Sequence, residues 1–327
     1  MRGLEVVAVV LYLVAPAAPV LAQASPTDTG VVRLQFGWKA GTVADVETTR
    51  MRVRQTAEGA DSTSVRATYT LRTLAHPDGL LIEYTDFRLP DFQPAGGPQT
   101  EFADELVERL AGILPSFVVS PEGEMLRLEN VAQLRAQMDS LFAPVLAQLG
   151  DVPPELRALM QSLLGDEALT ASAAQEWNLL VGTWVGGALE PGAVYGYEAE
   201  EPVPLIPGAS VPMEYEFALT ERTPCTEDTK ATDCVVLEMY SAPDPEAMRK
   251  LLEEFLRRLA PETLPGAIAF EELDILNTIV VILDPRTLLP HYLYTEKAVE
   301  GTIRGPGGEV QQISQVDERT STFTYRQ

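Results

Sequence analysis

Two stretches of the chain share a pattern of alternating apolar and polar positions, the first at residues 41–89 and the second at residues 192–242. The apolar positions of one strand are Val65, Ala67, Tyr69 and Leu71 in the first stretch, and Met213, Tyr215, Phe217 and Leu219 in the second. Successive side chains of a β-strand point to opposite faces, so each run predicts one apolar and one mostly polar face. The pattern indicates antiparallel sheet with one side toward water.

The alternation is interrupted in an early strand of the first stretch, which covers residues 42–55. Beyond Val46 the apolar positions are Met51 and Val53, while arginines occupy positions 50, 52 and 54. An extra residue in one strand shifts the alternation by one position. The sequence therefore predicts a β-bulge between Val46 and Met51, in a long bent strand.

Helical spacing of apolar residues follows the first stretch and recurs once after the second. The predicted helices cover residues 100–112, 130–149, 153–165, 166–177 and 245–259, and a short hairpin is expected at residues 117–128. Apolar residues at positions i, i+4 and i+8 form a stripe along one side of each helix. The central helices are too apolar to stand in water, so we expect them to cover the apolar face of the sheet.

The order of elements is meander, helix and hairpin in the first half, and meander, helix and strand pair in the second. We therefore predict an α+β fold of two similar curved antiparallel β-sheet units, each covered by helices and joined in one continuous or pseudo-symmetric assembly. The expected units are residues 25–180 and 181–327, which follow an N-terminal segment at residues 1–24.

The N-terminal segment is typical of a secretory signal. Arg2 precedes an apolar run at residues 6–14, and small residues follow, with cleavage expected after Ala22 or Ala24. The run is shorter than the roughly 20 residues that a membrane-spanning helix needs. We expect an exported protein, periplasmic or extracellular, with no transmembrane span in the mature chain.

The chain is strongly acidic, with 48 Asp and Glu residues against 24 Lys and Arg and a formal net charge of -24. Such a charge repels nucleic acid and anionic lipid head groups over a Debye length, so both partners are disfavoured. Nucleic acid is therefore not an expected partner.

The two cysteines, Cys225 and Cys234, flank a polar loop between two apolar alternating runs. A hairpin brings them face to face, and an even cysteine count in an exported chain favours a disulfide. The alternative, a two-thiol metal site, needs further ligands, and the chain has only His76 and His291, both distant in sequence. We predict a disulfide, with no metal site and no cofactor.

The hairpin motif DPRTLLP at residues 284–290 resembles one found in exported bacterial proteins whose sheets are similar to those of lipoprotein carriers, the LolA-like group. The resemblance implies an antiparallel sheet curved around helices, with an apolar cleft that holds acyl chains. It implies a fold more directly than an activity.

Binding is the function that these patterns favour. We expect a non-catalytic exported protein that holds a lipid or another apolar ligand in a cleft between sheet and helices. The candidate lining residues are Tyr69, Leu71, Met138, Phe142, Met160, Tyr215 and Phe217. Core packing is the commoner role for residues of each of these types, which gives a structural or partner-docking envelope protein as the alternative.

Catalysis is the weaker hypothesis. His76 precedes a Pro-Asp-Gly turn, and a hydrolase would require His291 beside a serine or a carboxylate in a pocket. The chain contains no phosphate-binding loop, dinucleotide fingerprint, zinc helix or EF-hand pattern.

The proline-rich loop at residues 203–207 is either a lid or a segment that tucks into the core.

Overall fold

The computed structural model describes residues 30–56, 59–90, 114–148, 164–203, 206, 208–226, 233–259, 269–305 and 308–326. The strands are β1 (Val32–Arg33), β2 (Val43–Thr56), β3 (Gly59–His76), β4 (Gly79–Arg88), β5 (Ser116–Val119), β6 (Met125–Leu128), β7 (Ala188–Leu189), β8 (Val194–Pro202), β9 (Ser210–Thr223), β10 (Cys234–Pro243), β11 (Ala269–Leu283), β12 (Pro290–Arg304) and β13 (Val310–Tyr325). The helices are α1 (Val131–Gln148), α2 (Asp166–Trp177) and α3 (Pro245–Leu259), and a π-helical segment, Asn178–Gly182, follows α2.

The long strands form one antiparallel sheet in the order β6-β5-β4-β3-β2-β13-β12-β11-β10-β9-β8, beside a two-stranded sheet of β1 and β7. The predicted fold class is therefore wrong: strand makes up 58% of the structure and helix 18%, and there are not two sheet units covered by helices. The reason is the pairing of β13 with β2, which joins the two meanders edge to edge. Alternation within a strand identifies its faces, but it does not identify its neighbour.

One face of the large sheet carries the core. Strands β2, β13, β12 and β11 contribute Ala44, Val46, Phe323, Leu293 and Val281, all at most 4% exposed. Helix α3 packs against β9 and β11. Of its predicted apolar stripe Met248, Leu252, Phe255 and Leu259, the first three are buried as predicted, and the Leu259 side chain lies outside the described residues. Helices α1, α2 and α3 match the predicted helices at 130–149, 166–177 and 245–259, whereas those predicted at 100–112 and 153–165 lie outside the described residues.

Trp177, at the end of α2, closes one end of this core. Its ring is fully buried and meets Trp38 and Phe117 edge to face, with centroids 5.2 and 5.5 Å apart. The indole Nε1 donates to the Gly123 carbonyl in the turn between β5 and β6, at 2.8 Å. The predicted hairpin at 117–128 is thereby fixed against the helix.

The first described residues, 30–38, form only a short strand. Only Val32–Arg33 pairs with another strand, β7, and the residues after it bond to a turn. The amides of Gln35 and Gly37 donate to the carbonyls of Pro285 and Thr287. This segment therefore supports the turn between β11 and β12.

The predicted β-bulge in β2 is absent, because the register of β2 with β3 and with β13 runs without a shift. Arg50 and Arg52 therefore lie on the same face as Ala44 and Val46. The interrupted pattern records a change in the chemistry of that face, from apolar to charged, and not a change in register.

Two further loops, the Pro-Asp-Gly turn and the proline-rich loop at residues 203–207, adopt conformations that their sequences allow. At the turn between β3 and β4, Gly79 has a φ of +142°, and a Cβ there would collide with the Val119 carbonyl. In the proline-rich loop, Val203 and Ile206 are 2% and 6% exposed. These two side chains are packed into the core, and residues 204, 205 and 207 lie outside the described residues.

Cys225 and Cys234 form a disulfide, as predicted, with an S–S distance of 2.07 Å. It closes the loop between β9 and β10, where Cys234 lies opposite Thr223. Among the described helices, none is both long and apolar enough to cross a membrane.

Replacing both cysteines with serine should lower the free energy of unfolding by about 2–3 kcal/mol, because a bridge across a sequence separation of 9 restricts the unfolded chain. Urea denaturation of the two proteins measures the difference. Reductant should destabilise the wild type by a similar amount and leave the double variant unchanged. Equal stability of the oxidised wild type and the variant would contradict this expectation.

Candidate ligand-binding site

The core face of the central strands changes from apolar to charged beyond Val46. Register places Arg52 opposite Asp317, and Asp317 opposite Lys297 on the next strand. Arg319 lies opposite Arg50. These charged residues occupy the face that packs against the helices, in a chain whose net charge is -24.

Asp317 is the counter-ion at the centre of this cluster and is only 9% exposed. Its two oxygens accept from Arg50 Nε and Nη2 at 2.8 and 3.0 Å, and from Arg52 Nε at 3.3 Å. Burial lowers the pKa of Lys297 to about 8, and the charge of Asp317 opposes that shift. One carboxylate therefore stabilises cationic side chains from both neighbouring strands.

Arg319 is held from another direction. Its Nη1 donates to Glu176 Oε2, on α2, at 2.8 Å. Burial alone would lower the pKa of Arg319, but Glu176, Tyr69 and Tyr84 raise it overall. Its Nε and Nη2 atoms are buried and have no hydrogen-bond partner in the described part of the chain. One nitrogen of the guanidinium is therefore paired with Glu176, and no described residue pairs with the edge formed by the other two.

Two tyrosines lie close enough to Arg319 to interact with it electrostatically. Tyr69 and Tyr84 meet edge to face, with ring centroids 5.5 Å apart. Burial is the main cause that raises the pKa of each phenol, so both remain protonated at neutral pH. The Tyr84 hydroxyl is also buried without a hydrogen-bond partner among the described residues.

A β-bulge in β4 adds a third ring. The register between β3 and β4 shifts between Thr68 and Thr70, and Asp86 takes a φ of +56°. Bulges redirect the side chains that follow them. Phe87 is thereby parallel to Tyr69, with the ring centroids 6.5 Å apart. We call Tyr69, Tyr84, Phe87, Arg319 and Glu176 the arginine–aromatic site.

The predicted lining residues are dispersed in the structure. Tyr69 is half-buried in the arginine–aromatic site, and Met138 is half-buried on α1. Leu71, Tyr215 and Phe217 are buried in the core at 1%, 2% and 8% exposure. The Phe142 side chain and the whole of Met160 lie outside the described residues.

The sequence interpretation missed the other members of the site. Tyr84 follows Ile82 at the spacing of one strand face, and that alternation could have identified it. Arg319 and Glu176 are 143 residues apart, and no local pattern connects them. Phe87 reaches the site only through the bulge.

His76 lies in a turn, and His291 lies beside the disulfide. His76 Nδ1 accepts from the Asp78 amide, at 3.2 Å, within the turn between β3 and β4. His291 lies near Cys225 and Cys234, with the possible ligand atoms within 4.8 Å of one another. Both sulfurs belong to the disulfide, so they offer no thiolate to a metal ion. Burial lowers the pKa of His291, although Asp284 opposes it, and the ring meets Tyr325 edge to face at 5.3 Å.

No protein-family model matches the chain, and no curated protein matches it. Among solved structures there is a weak similarity to OmpT, an outer membrane protein of Vibrio cholerae, in a trimer form folded in vitro. The identity is 8%, and the match covers 88% of this chain and 100% of that one, with a TM-score of 0.18. A similarity at that score supports no conclusion about fold or function.

Replacing Asp317 with asparagine should destabilise the protein by about 2 kcal/mol, because it removes the carboxylate that Arg50 and Arg52 share. The figure is kept below that for a fully buried pair, since both arginines are about half exposed. Urea denaturation measures the change. Asp274→Asn, at an exposed position of β11, is the matched control and should change stability by less than about 0.5 kcal/mol. Equal effects of the two substitutions would show that the cluster does not contribute to stability.

Proposed function

We propose that this protein is an exported, non-catalytic binding protein for a ligand with a long apolar part, such as an acyl chain. The ligand lies on the helix-facing side of the sheet, at the arginine–aromatic site. The observation that carries the proposal is the grouping there of three aromatic rings from the neighbouring strands β3 and β4. Each ring is only partly buried.

Partly exposed rings favour an apolar occupant. Tyr69, Tyr84 and Phe87 each keep part of their surface accessible, although Tyr69 and Tyr84 also pack against the core. Among the described residues, α2 contacts β6, α3 contacts β9 and β11, and the π-helical segment contacts β12. A ligand that covers the three rings removes apolar surface from water, at about 25 cal/mol for each Å².

The charges at the site suit binding better than catalysis. Tyr69 and Tyr84 stay protonated and Arg319 stays cationic at neutral pH, because of their raised pKa values. These groups donate hydrogen bonds, whereas a general base has to accept a proton near the working pH. The site therefore suits recognition of a ligand, and its carboxylate, Glu176, is already paired with Arg319.

Two observations support the exported location in this proposal. The disulfide between Cys225 and Cys234 is typical of proteins that fold in an oxidising compartment. The N-terminal sequence has the features of a signal peptide, with cleavage after Ala22 or Ala24.

The likeness of residues 284–290 to the hairpin of LolA-like carriers agrees with acyl-chain binding and contributes to the same proposal.

The test is a titration of the delipidated mature protein with pyrene-dodecanol, a neutral long-chain probe, followed by pyrene fluorescence. We expect saturable binding that Phe87→Ala weakens about tenfold, because the variant removes one apolar wall of the site. Leu276→Ala, which truncates an exposed apolar residue of β11, is the matched control and should leave the affinity unchanged.

Absence of saturable binding would refute the proposal and favour a structural or partner-docking protein. Equal effects of Phe87→Ala and Leu276→Ala would place the binding elsewhere on the molecule. Native mass spectrometry of protein purified from its own cell envelope gives a second measurement, which should detect a co-purified lipid.

A further inference from the structure

Three buried polar atoms at the arginine–aromatic site lack a hydrogen-bond partner among the described residues. They are Nε and Nη2 of Arg319 and the hydroxyl of Tyr84. Buried polar groups are nearly always hydrogen-bonded, and a buried donor left unpaired is costly. Three such atoms on two residues that interact electrostatically indicate that a further group, not among the described residues, belongs there.

We propose that Arg319 and Tyr84 bind the anionic head group of the ligand, a carboxylate or a phosphate, while its apolar chain covers Tyr69 and Phe87. The proposal rests on the proposed function and narrows its ligand class to anionic amphiphiles. It assigns the head group to Arg319 and the chain to the aromatic rings.

The orientation of the guanidinium suits this role. Arg319 donates a hydrogen bond to Glu176 through Nη1 alone. The Nε–Nη2 edge presents two parallel N–H donors, which match the two oxygens of a carboxylate or phosphate. The Tyr84 hydroxyl adds a third donor, since its pKa is raised and it keeps its proton.

The surrounding charges favour an anion. In the cluster around Asp317, the cations Arg50, Arg52, Lys297 and Arg319 outnumber the carboxylates Asp317 and Glu176. Arg50 lies directly opposite Arg319, and like charges in that arrangement repel each other. The excess of positive charge is local, because the chain as a whole carries -24. An anion bound at Arg319 offsets that excess.

The same features select an amphiphile over other anions. The net charge of the chain opposes the approach of every anion, an amphiphile included, and the donor edge is too small for more than one head group. A small free anion gains the hydrogen bonds but covers none of the three rings. We therefore expect tight binding only where one molecule supplies both parts.

The experiment compares pyrene-dodecanoate with pyrene-dodecanol, which share a chain and differ in the charge of the head. For the wild type we expect the carboxylate to bind at least about tenfold more tightly than the alcohol, since a charged hydrogen-bond pair is added. Arg319→Gln should remove this advantage and change the affinity for the alcohol by less than about twofold.

Two further variants keep the test informative if Arg319→Gln fails to fold. Tyr84→Phe removes only the hydroxyl and should weaken pyrene-dodecanoate binding about threefold to tenfold, with the alcohol unaffected. Glu176→Gln removes the competing carboxylate and should maintain or strengthen binding of the carboxylate probe. Arg66→Gln removes a positive charge from the opposite face of the sheet, where Arg66 pairs with Glu47, and serves as the matched control.

The outcomes separate the two proposals. Equal affinity of the two probes, unchanged by Arg319→Gln and Tyr84→Phe, would overturn the head-group proposal and leave acyl-chain binding intact. Failure of both probes to bind would overturn the proposed function itself. Displacement of pyrene-dodecanoate by acetate or inorganic phosphate as effectively as by dodecyl phosphate would show a free-anion site and contradict the amphiphile.

Discussion

The pairing of β13 with β2 is the interaction on which the rest of the structure depends. It turns two meanders into one sheet, and it also aligns the chemistry of neighbouring strands. Phe323 lies opposite Val46, Ser321 opposite Thr48, and Arg319 opposite Arg50. The face therefore changes from apolar to polar at the same level on both strands. A slip of one residue would move one strand's charged side chains to the opposite face and separate Asp317 from its arginines.

The extent of agreement between sequence and structure follows from how local each feature is. The hairpin at β5 and β6, the disulfide and the stripe of α3 depend on neighbouring residues, and the sequence predicted them correctly. The pairing between Arg50 and Asp317 joins residues 267 positions apart, and no periodicity within either strand contains it. The bulge predicted in β2 was wrong for the same reason. Arg50 and Arg52 indicated a bulge because the sequence does not show that Asp317 lies beside them. Within the candidate site, Tyr69 was predictable from alternation, whereas Phe87 required the bulge at Asp86.

Stability alone does not account for the charged cluster. Replacing buried ion pairs with apolar residues of similar volume is often neutral or stabilising, because desolvation offsets most of the attraction. The lowered pKa of Lys297 is a direct sign of that desolvation. The strands that carry the cluster could continue the apolar face that begins at Ala44 and Val46, yet they replace it with arginine, lysine and aspartate. Function is the simpler reason for such a replacement at the centre of a sheet.

The direction of that change would give the proposed ligand an orientation. From Val46 to Arg50 the strand advances four residues, or about 13 Å, and over that length the face passes from aliphatic to cationic side chains. The apolar end of the face is already filled, since Trp177 and Phe323 are buried there. A chain whose head reaches Arg319 therefore extends sideways across β3 and β4, where Tyr69 and Phe87 stack in parallel, and not down into the core. The bulge at Asp86 is the feature that opens this direction, because without it Phe87 would point to the other face of the sheet.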